Sequence, residues 1–363
     1  MDQPTIGVLL NDRTYNGIMR GKTQHEALHL YEHAALRLNC QVCYFRLRDI
    51  SLRHRHVKAI LLDSRSRRYR VQLIPLPAVI HNRAIHLTRE AKRKLARLHE
   101  AGYFIYNRHT RYSKWFIHQL LWKDERLRPH LPETHIATTS RIRAMMRRYD
   151  ALIIKPSNGS IGRGIMKLQK HGAAWRLRYR SQRRPRRWLA AKATSKLPAV
   201  LRRAILRKRY LVQQRIPLAT YMDRPFDLRV SVQRDSTGAW QVTGIVGKAA
   251  PANLFLTNVA QGGTVYTLEH LLQANPSLDP FTVHRDVEAL ALRVAAHLGQ
   301  HLVNLADIGL DIGITPQGFP MFIECNCRDL RYSFQEGGLT EAWAAVYHQP
   351  ISYGRSAHMN RHA

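Results

Sequence analysis

The stretch "LIIKPSNGSIGRGIM", residues 152–166, constrains the fold more than any other part of this sequence. An apolar strand runs into Lys155, then into a loop carrying Gly159, Gly162 and Gly164, and Ile165–Leu168 reads as a further strand. The P-loop pattern G-x-x-x-x-G-K-[ST] fits only as far as Gly159 and Gly164, because Ile165 stands where its lysine belongs. The dinucleotide fingerprint G-x-G-x-x-G needs a helix after the loop, and here the glycines run in the reverse spacing. The composition is that of a phosphate-holding loop, set between two strands, and neither standard motif explains it.

The chain has 363 residues, enough for two or three lobes. Its 58 Lys and Arg oppose 25 Asp and Glu, for a net charge of +33. Such a field attracts polyanions: nucleic acid, anionic polymers and nucleotides. No basic leader followed by an apolar stretch opens the sequence, and no run of about twenty apolar residues occurs in it. The expectation is a soluble protein, cytoplasmic where it is made, with no membrane partner. Cys40-x-x-Cys43 and Cys325-x-Cys327 could in principle form a four-thiolate zinc site. Neither pair has finger or ribbon spacing, so buried reduced thiols are the default expectation.

Along the chain, strands are expected at 5–10, 41–46 and 59–62, with helices at 24–38 and 87–100, which together make an α/β lobe. Helices follow at 113–123 and 139–149, each with Ser or Thr before it as a cap. From residue 151 the character changes to antiparallel β. Strands at 226–234 and 239–248 flank a turn at Asp235–Gly238, strands at 309–314 and 319–325 flank Thr315–Gly318, and a helix is expected at 284–298. Between Asp150 and Asp223 there is no acidic residue, yet 19 Lys and Arg occur there. The densest run, "WRLRYRSQRRPRRW", reads first as a solvated face and second as a polyanion surface, since Trp175, Tyr179 and Trp188 interleave with arginine.

The second informative stretch is "GLDIGITPQGFPMFIECNC". With a turn inside Thr315–Gly318, Ile314 pairs with Phe319 and Asp311 falls opposite Phe322. Alternation then puts Asp311, Glu324 and Asn326 on one face. Three oxygen donors without His or Cys suit Mg²⁺. An odd-length turn would move Asp311 to the other face. A third stretch, "RPFDLRVSVQ", alternates Asp227 and Arg229 with apolar residues, which suits either phosphate contact or a salt bridge between the two.

With "YNRHTRYSKWFIHQLL", "YLVQQRIPL", "QVTGIVGKAA" and "LTNVAQGGT", these stretches resemble the ATP-grasp superfamily, and within it the spore-coat-associated YheC/YheD family. The resemblance implies an α/β (α+β) fold. A Rossmann-like pre-ATP-grasp lobe at 1–108 would precede a two-subdomain ATP-grasp domain at 109–345 built on antiparallel sheets. A small basic subdomain would span about 150–212, a C-terminal subdomain about 213–345, and a tail 346–363.

It further implies ATP and Mg²⁺, the latter as two ions, held by Asp311, Glu324 and Asn326. Nucleotide contacts would come from Lys114, Lys155, Ser157, Asn158, Gly159, Ser160, Gly162 and Gly164, with backbone near Gln213 and Gln214 on the adenine edge. Arg229 and Lys248 would be the catalytic cations. Asn258, Gly262 and Gly263 would close that end of the site. Two stretches depart from the pattern: Gln213-Gln214-Arg215 lacks the usual acid for ribose, and "CRDLRYSF" replaces a small-residue and proline loop.

The activity implied is carboxylate–amine ligation through an acylphosphate. Its partners would be a carboxylate and an amine, with an acidic peptide or polymer or spore-coat components as candidates, and spore-coat association as the implied location. The alternatives are a coat-associated binding or structural protein with weak or no catalysis, and a polyanion- or nucleic-acid-binding protein acting through residues 175–209.

Overall fold

The computed structural model describes residues 3–63, 65–159, 162–181, 187–194 and 196–361. Its first sheet contains β1 (Thr5–Leu9), β2 (Gln41–Phe45), β3 (Ile50–Ser51), β4 (His56–Asp63), β5 (Arg68–Pro75), β6 (Val79–Asn82) and β7 (Phe104–Tyr106). Among the described residues the order is β3-β4-β2-β1-β6-β7, with β5 on β4. The run β2-β1-β6-β7 is parallel, and β4 joins it antiparallel. The short strand expected at 59–62 is one arm of the long β4–β5 hairpin. β5 is not among the expected strands, although Tyr69, Val71 and Leu73 alternate with Arg68, Arg70 and Gln72 at a strand's period; most of its side chains are exposed.

The helix expected at 24–38 spans Leu28–Arg37 and starts late, because Gln24 has a φ of 59° that no helix accepts. The helix expected at 284–298 runs from Pro280 to His301. Asp279 caps it by accepting from the Thr282 N–H, and Pro280 occupies its first turn. Residues 346–363, expected as a tail, lie mostly within helix Thr340–Met359. Pro350 inside that helix removes the N–H that the Val346 carbonyl would accept, and Gln233 Nε2 donates to that carbonyl instead, at 2.9 Å. Val346, Tyr347 and Ile351 share a core with Ile6, Tyr31 and Val79 of the first lobe.

The second sheet holds β8 (Thr134–Ile136), β9 (Ala151–Pro156), β10 (Met166–His171), β11 (Ala174–Arg180), β12 (Trp188–Ala193) and β13 (Tyr210–Gln214). Its order is β12-β11-β10-β9-β13-β8, with antiparallel pairs. Helices Thr139–Met146 and Ala199–Arg207 bury Ile142, Met145 and Leu201 against Leu152, Ile154 and Val212. Alternation therefore turns Ile153, Lys155 and Gln213 to the opposite face.

The third sheet holds β14 (Thr220–Tyr221), β15 (Arg224–Arg234), β16 (Trp240–Ala249), β17 (Thr264–Tyr266), β18 (Asp307–Ile314) and β19 (Pro320–Asn326). Its order is β17-β16-β15-β18-β19, with β14 on β15. Phe226, Leu228, Val230 and Val232 of β15 and Ile308, Leu310, Ile312 and Ile314 of β18 pack beneath helix Pro280–His301. The residues between them face the other way. Arg229 pairs with Asp311, Ser231 with Gly309, and Gln233 with Asp307 across the two central strands. One period-two pattern thus builds a core and a polar floor at once.

Candidate active site

The β18–β19 hairpin carries the carboxylates in a register that differs from expectation. The turn is one residue longer than the sequence suggested, so Ile314 pairs with Pro320 rather than Phe319. Alone, that slip would turn Asp311 away from Glu324. A bulge between Asp311 and Ile312 restores the face, and Asp311 stands directly opposite Glu324 instead of Phe322. Asn326 Nδ2 lies 3.4 Å from Asp311 Oδ2.

Cations hold both carboxylates. Lys248 Nζ is 2.7 Å from Asp311 Oδ1 and 3.0 Å from Asp227 Oδ1. Arg229 Nε lies 3.1 Å from the same Asp311 oxygen, without the alignment of a hydrogen bond. Burial would raise the Asp311 carboxyl, but Arg229 and Lys248 hold it below the ordinary range. Asp227 goes the other way: burial pushes it up, with Lys248 opposing and Asp311 adding to the rise. Arg229 does not pair with Asp227, as one reading of "RPFDLRVSVQ" had it. Its partners are Asp311 and Asp329.

Lys114, at the start of helix Lys114–Leu121, reaches Glu324 Oε1 at 2.6 Å and the Gly159 carbonyl at 2.9 Å. Lys155 is buried with its Nζ 3.4 Å from the Ile323 carbonyl, and that burial brings its ammonium down to about 8. A cleft between the second and third sheets is lined by Ile153, Lys155, Gln213, Gln214, Asp311 and Glu324. An adjoining cavity continues it past Lys114, His118 and Asn326.

The remaining expected residues fall less evenly. Ser157 is buried with its hydroxyl unpartnered, and its carbonyl accepts from the Lys114 N–H. Asn158 is exposed, and Ser160 lies outside the described residues. Gly162 and Gly164 have φ of 69° and 76°, so each needs glycine. Gln213 Nε2 donates to Thr134 Oγ1 at 2.8 Å, while the Gln214 N–H is taken by the Glu133 carbonyl at 2.9 Å. That amide is therefore committed within the sheet. Asn258 lines the cleft and its side chain borders Gly162. Gly262 and Gly263 are not among the lining residues; they shape the turn, with a Cβ on Gly263 colliding with the Thr257 carbonyl. The cysteines are free thiols: Cys40 and Cys43 belong to first-lobe cores, and Cys325 and Cys327 to the third sheet.

Sequence reading missed Asp329. Fully buried, it accepts from Arg229 Nη1 at 2.9 Å and from the Ser231 hydroxyl, and its carbonyl accepts from Arg83 Nη2 at 2.6 Å. Arg83 also pairs with Glu26 and Asp307, and Arg331 with Asp307. Burial would raise the Asp307 carboxyl, but Arg331 and Arg83 keep it well below the ordinary range. "CRDLRYSF" is thus an anchor between lobes. The signal was available, since acids are scarce in this chain and Asp329 sits five residues after Glu324.

The model of the YheC/D like ATP-grasp family matches residues 103–356. The chain belongs to this family. Among curated proteins it is 28% identical over 277 residues to the endospore coat-associated protein YheD of Bacillus subtilis (strain 168), across 74% of this chain and 60% of that protein. The endospore coat-associated protein YheC of the same organism is 22% identical over 222 residues, covering 61% of each. The chain therefore spans about three-fifths of the length of these relatives.

Solved structures share the ATP-grasp ligase fold. The ligase PsnB, complexed with minimal precursor, Mg and ADP, matches with a TM-score of 0.53 at 15% identity, over 96% of this chain and 99% of that one. D-alanyl-alanine synthetase A from Vibrio cholerae O1 biovar eltor str. N16961 matches with a TM-score of 0.53 at 13% identity, over 99% and 98%. Among the described residues, no helix of this YheC/D-like protein is long and apolar enough to cross a membrane.

Proposed function

We propose that the chain is a Mg-ATP-dependent carboxylate–amine ligase with a role tied to the spore coat. The observation that carries this reading is the gathering of Lys114, Lys155, Asp311, Glu324 and Asn326 around one continuous cleft between two sheets. PsnB, of the same fold, is described with Mg and ADP.

The donor set fits Mg²⁺. Two facing carboxylates and an amide offer oxygen, and each carboxylate already holds a cation, Lys248 at 2.7 Å or Lys114 at 2.6 Å. Asp311, Glu324 and Asn326 would hold the ion, which when bound supplies neutralisation of phosphate charge. Lys155 and Lys114 would hold the ATP phosphates beneath the glycine loop, whose backbone N–H groups suit anions.

The substrate carboxylate would attack the γ-phosphorus, the bond to the bridging oxygen would break, and ADP would leave. The amine nitrogen would then attack the acyl carbon of the acylphosphate, expelling phosphate and losing a proton. Arg229 and Lys248 lie behind Asp311, where they set the positive field in which phosphoryl charge redistributes.

Isothermal titration of Mg-ATP against wild type and the Asp311→Asn/Glu324→Gln double variant tests the reading. Metal-dependent binding lost in the variant is expected, and absence of binding to folded wild type overturns it. The names of both curated relatives favour a second reading, a coat-associated protein with little catalysis. Under that reading the same double variant would retain its assembly into the coat.

A further inference from the structure

Beside the glycine loop a second cavity opens among Arg163, Arg180, Arg203 and Arg207, sharing Ile165 with the nucleotide cleft. The arginines come from three elements: Arg163 from the loop, Arg180 from the end of β11, and Arg203 and Arg207 from helix Ala199–Arg207. On that helix Val200, Arg203, Ala204 and Arg207 follow the spacing of a single face, and all four line the cavity. Two like charges one turn apart repel unless an anion stands between them.

Among the described residues no such anion is paired with Arg163, Arg203 or Arg207. Residues 151–222 contain neither Asp nor Glu. None of the ion pairs among the described residues involves Arg163, Arg203 or Arg207; Arg203 has only a 3.4 Å contact to the Ala199 carbonyl. Arg163, Arg203 and Arg207 are exposed, whereas the half-buried Arg229 and the buried Arg331 are paired within the protein, with Asp329 at 2.9 Å and Asp307 at 2.5 Å. The groove therefore gathers the guanidinium groups of Arg163, Arg203 and Arg207, without an ion pair among the described residues, around a floor containing Val200, Ala204 and Met166.

The aromatic residues decide which polyanion fits. Single-stranded nucleic acid needs exposed rings on which bases stack. Here Trp188 packs edge-on to Phe255 with centroids 5.1 Å apart, beneath Arg180 and Arg178. Trp175 and Tyr179 pack on the core of the second sheet. Tyr179 also lines the groove, beside the buried Tyr210, and both rings are held against the second-sheet core rather than standing free as a stacking platform. An extended acidic peptide needs no such platform: its same-side carboxylates recur about every 6.6 Å, close to the separation of side chains one helical turn apart.

We propose that this groove binds an acidic polypeptide segment, with the guanidinium forks of Arg163, Arg203 and Arg207 taking successive Asp or Glu carboxylates. The site does not depend on the ligase reading, because it is read without nucleotide. Fluorescence anisotropy with labelled octaglutamate, and in parallel with a labelled oligothymidylate of equal charge, provides the test.

Saturable binding of octaglutamate is expected, weakened about tenfold or more in Arg203→Glu/Arg207→Glu. The matched reversal Arg93→Glu/Arg97→Glu, on the exposed face of helix Arg89–Glu100, is expected to change it by less than about threefold. Arg163→Ala, in a loop, gives a second reading with a loss of about threefold. Absent saturation, equal losses in both reversals, no loss in any groove variant, or oligothymidylate bound as tightly with the same losses would each overturn the proposal.

Discussion

At the scale of single residues, Gly309 is the price of the Arg229–Asp329 pair. A Cβ there would collide with the Asp329 carboxylate and stand 2.7 Å from Arg229 Nη1, so the floor of the site tolerates no side chain at that point. Gly309→Ala is expected to destabilise the protein by about 1–3 kcal/mol in urea denaturation, the range for overpacking a dense interior. Arg229→Ala is expected to lower kcat about a hundredfold or more once a substrate pair is in hand, the scale of losing one preorganised electrostatic donor; wild-type turnover would remove Arg229 from the mechanism.

Glu32 supplies a pH test. Burial pushes its carboxyl up to about 7, against the hydrogen bond it accepts from the Tyr44 hydroxyl at 2.9 Å. Because its folded value is raised, Glu32 detracts nothing below about pH 4.5, where folded and unfolded chains are both protonated. As pH rises toward 7 the unfolded chain ionises more readily, and stability falls until the folded value is passed. Glu32→Gln should therefore match wild type in acid and exceed it by about 1–2 kcal/mol above neutrality, read from denaturation at both pH values.

At the scale of elements, the glycine loop and the bulged hairpin do the positioning. Gly164, with φ of 76°, would bring a Cβ to 2.9 Å from the Tyr210 hydroxyl and 3.0 Å from Pro156 Cγ. Gly172, at φ of 57°, would place one in open space. Both Ala variants carry the left-handed strain of about 1–2 kcal/mol. Gly164→Ala should be the less stable of the two and should alone weaken ATP binding, as calorimetry on the pair would show. The hairpin shows where sequence reading stopped. Alternation placed Asp311 and Glu324 on one face, but the odd turn and the bulge that offsets it leave no mark in residue type. β5 is a different case, since Tyr69, Val71 and Leu73 alternate with Arg68, Arg70 and Gln72 and the signal was there to be read.

At the scale of the whole molecule, the first lobe is tied to the site by buried charge. Arg83 bridges Glu26, Asp307 and the Asp329 carbonyl, and Asp329 in turn holds Arg229. Arg83→Met would leave Glu26 and Asp307 short of a partner in the interior, and a loss of about 3–5 kcal/mol is expected in chemical denaturation. A loss under about 1 kcal/mol would mean that the lobes are joined by their shared apolar core instead. That core is substantial: helix Thr340–Met359 crosses back to seat Tyr347 and Ile351 beside Tyr31 and Ile6. Pro350 hid this helix from the sequence, and Gln233, more than a hundred residues earlier, supplies the hydrogen bond that makes it possible.

The sequence by itself determined the strand–loop–strand, the alternating polar and apolar faces of β15 and β18, the starts of helices Arg89–Glu100, Lys114–Leu121 and Thr139–Met146 to within two residues, and the family. Each is a local matter of periodicity, capping or a left-handed glycine, carried by residues close together in the chain. Tertiary structure alone decided that Asp311 faces Glu324, that Lys248 sits between Asp227 and Asp311, and that Asp329 holds Arg229. It alone decided, too, that Trp188 packs on Phe255 while Arg203 and Arg207 have no carboxylate partner among the described residues. These are pairings between distant segments. They follow from which groups are desolvated together, and a charge on one strand does not specify its partner until packing brings that partner within reach.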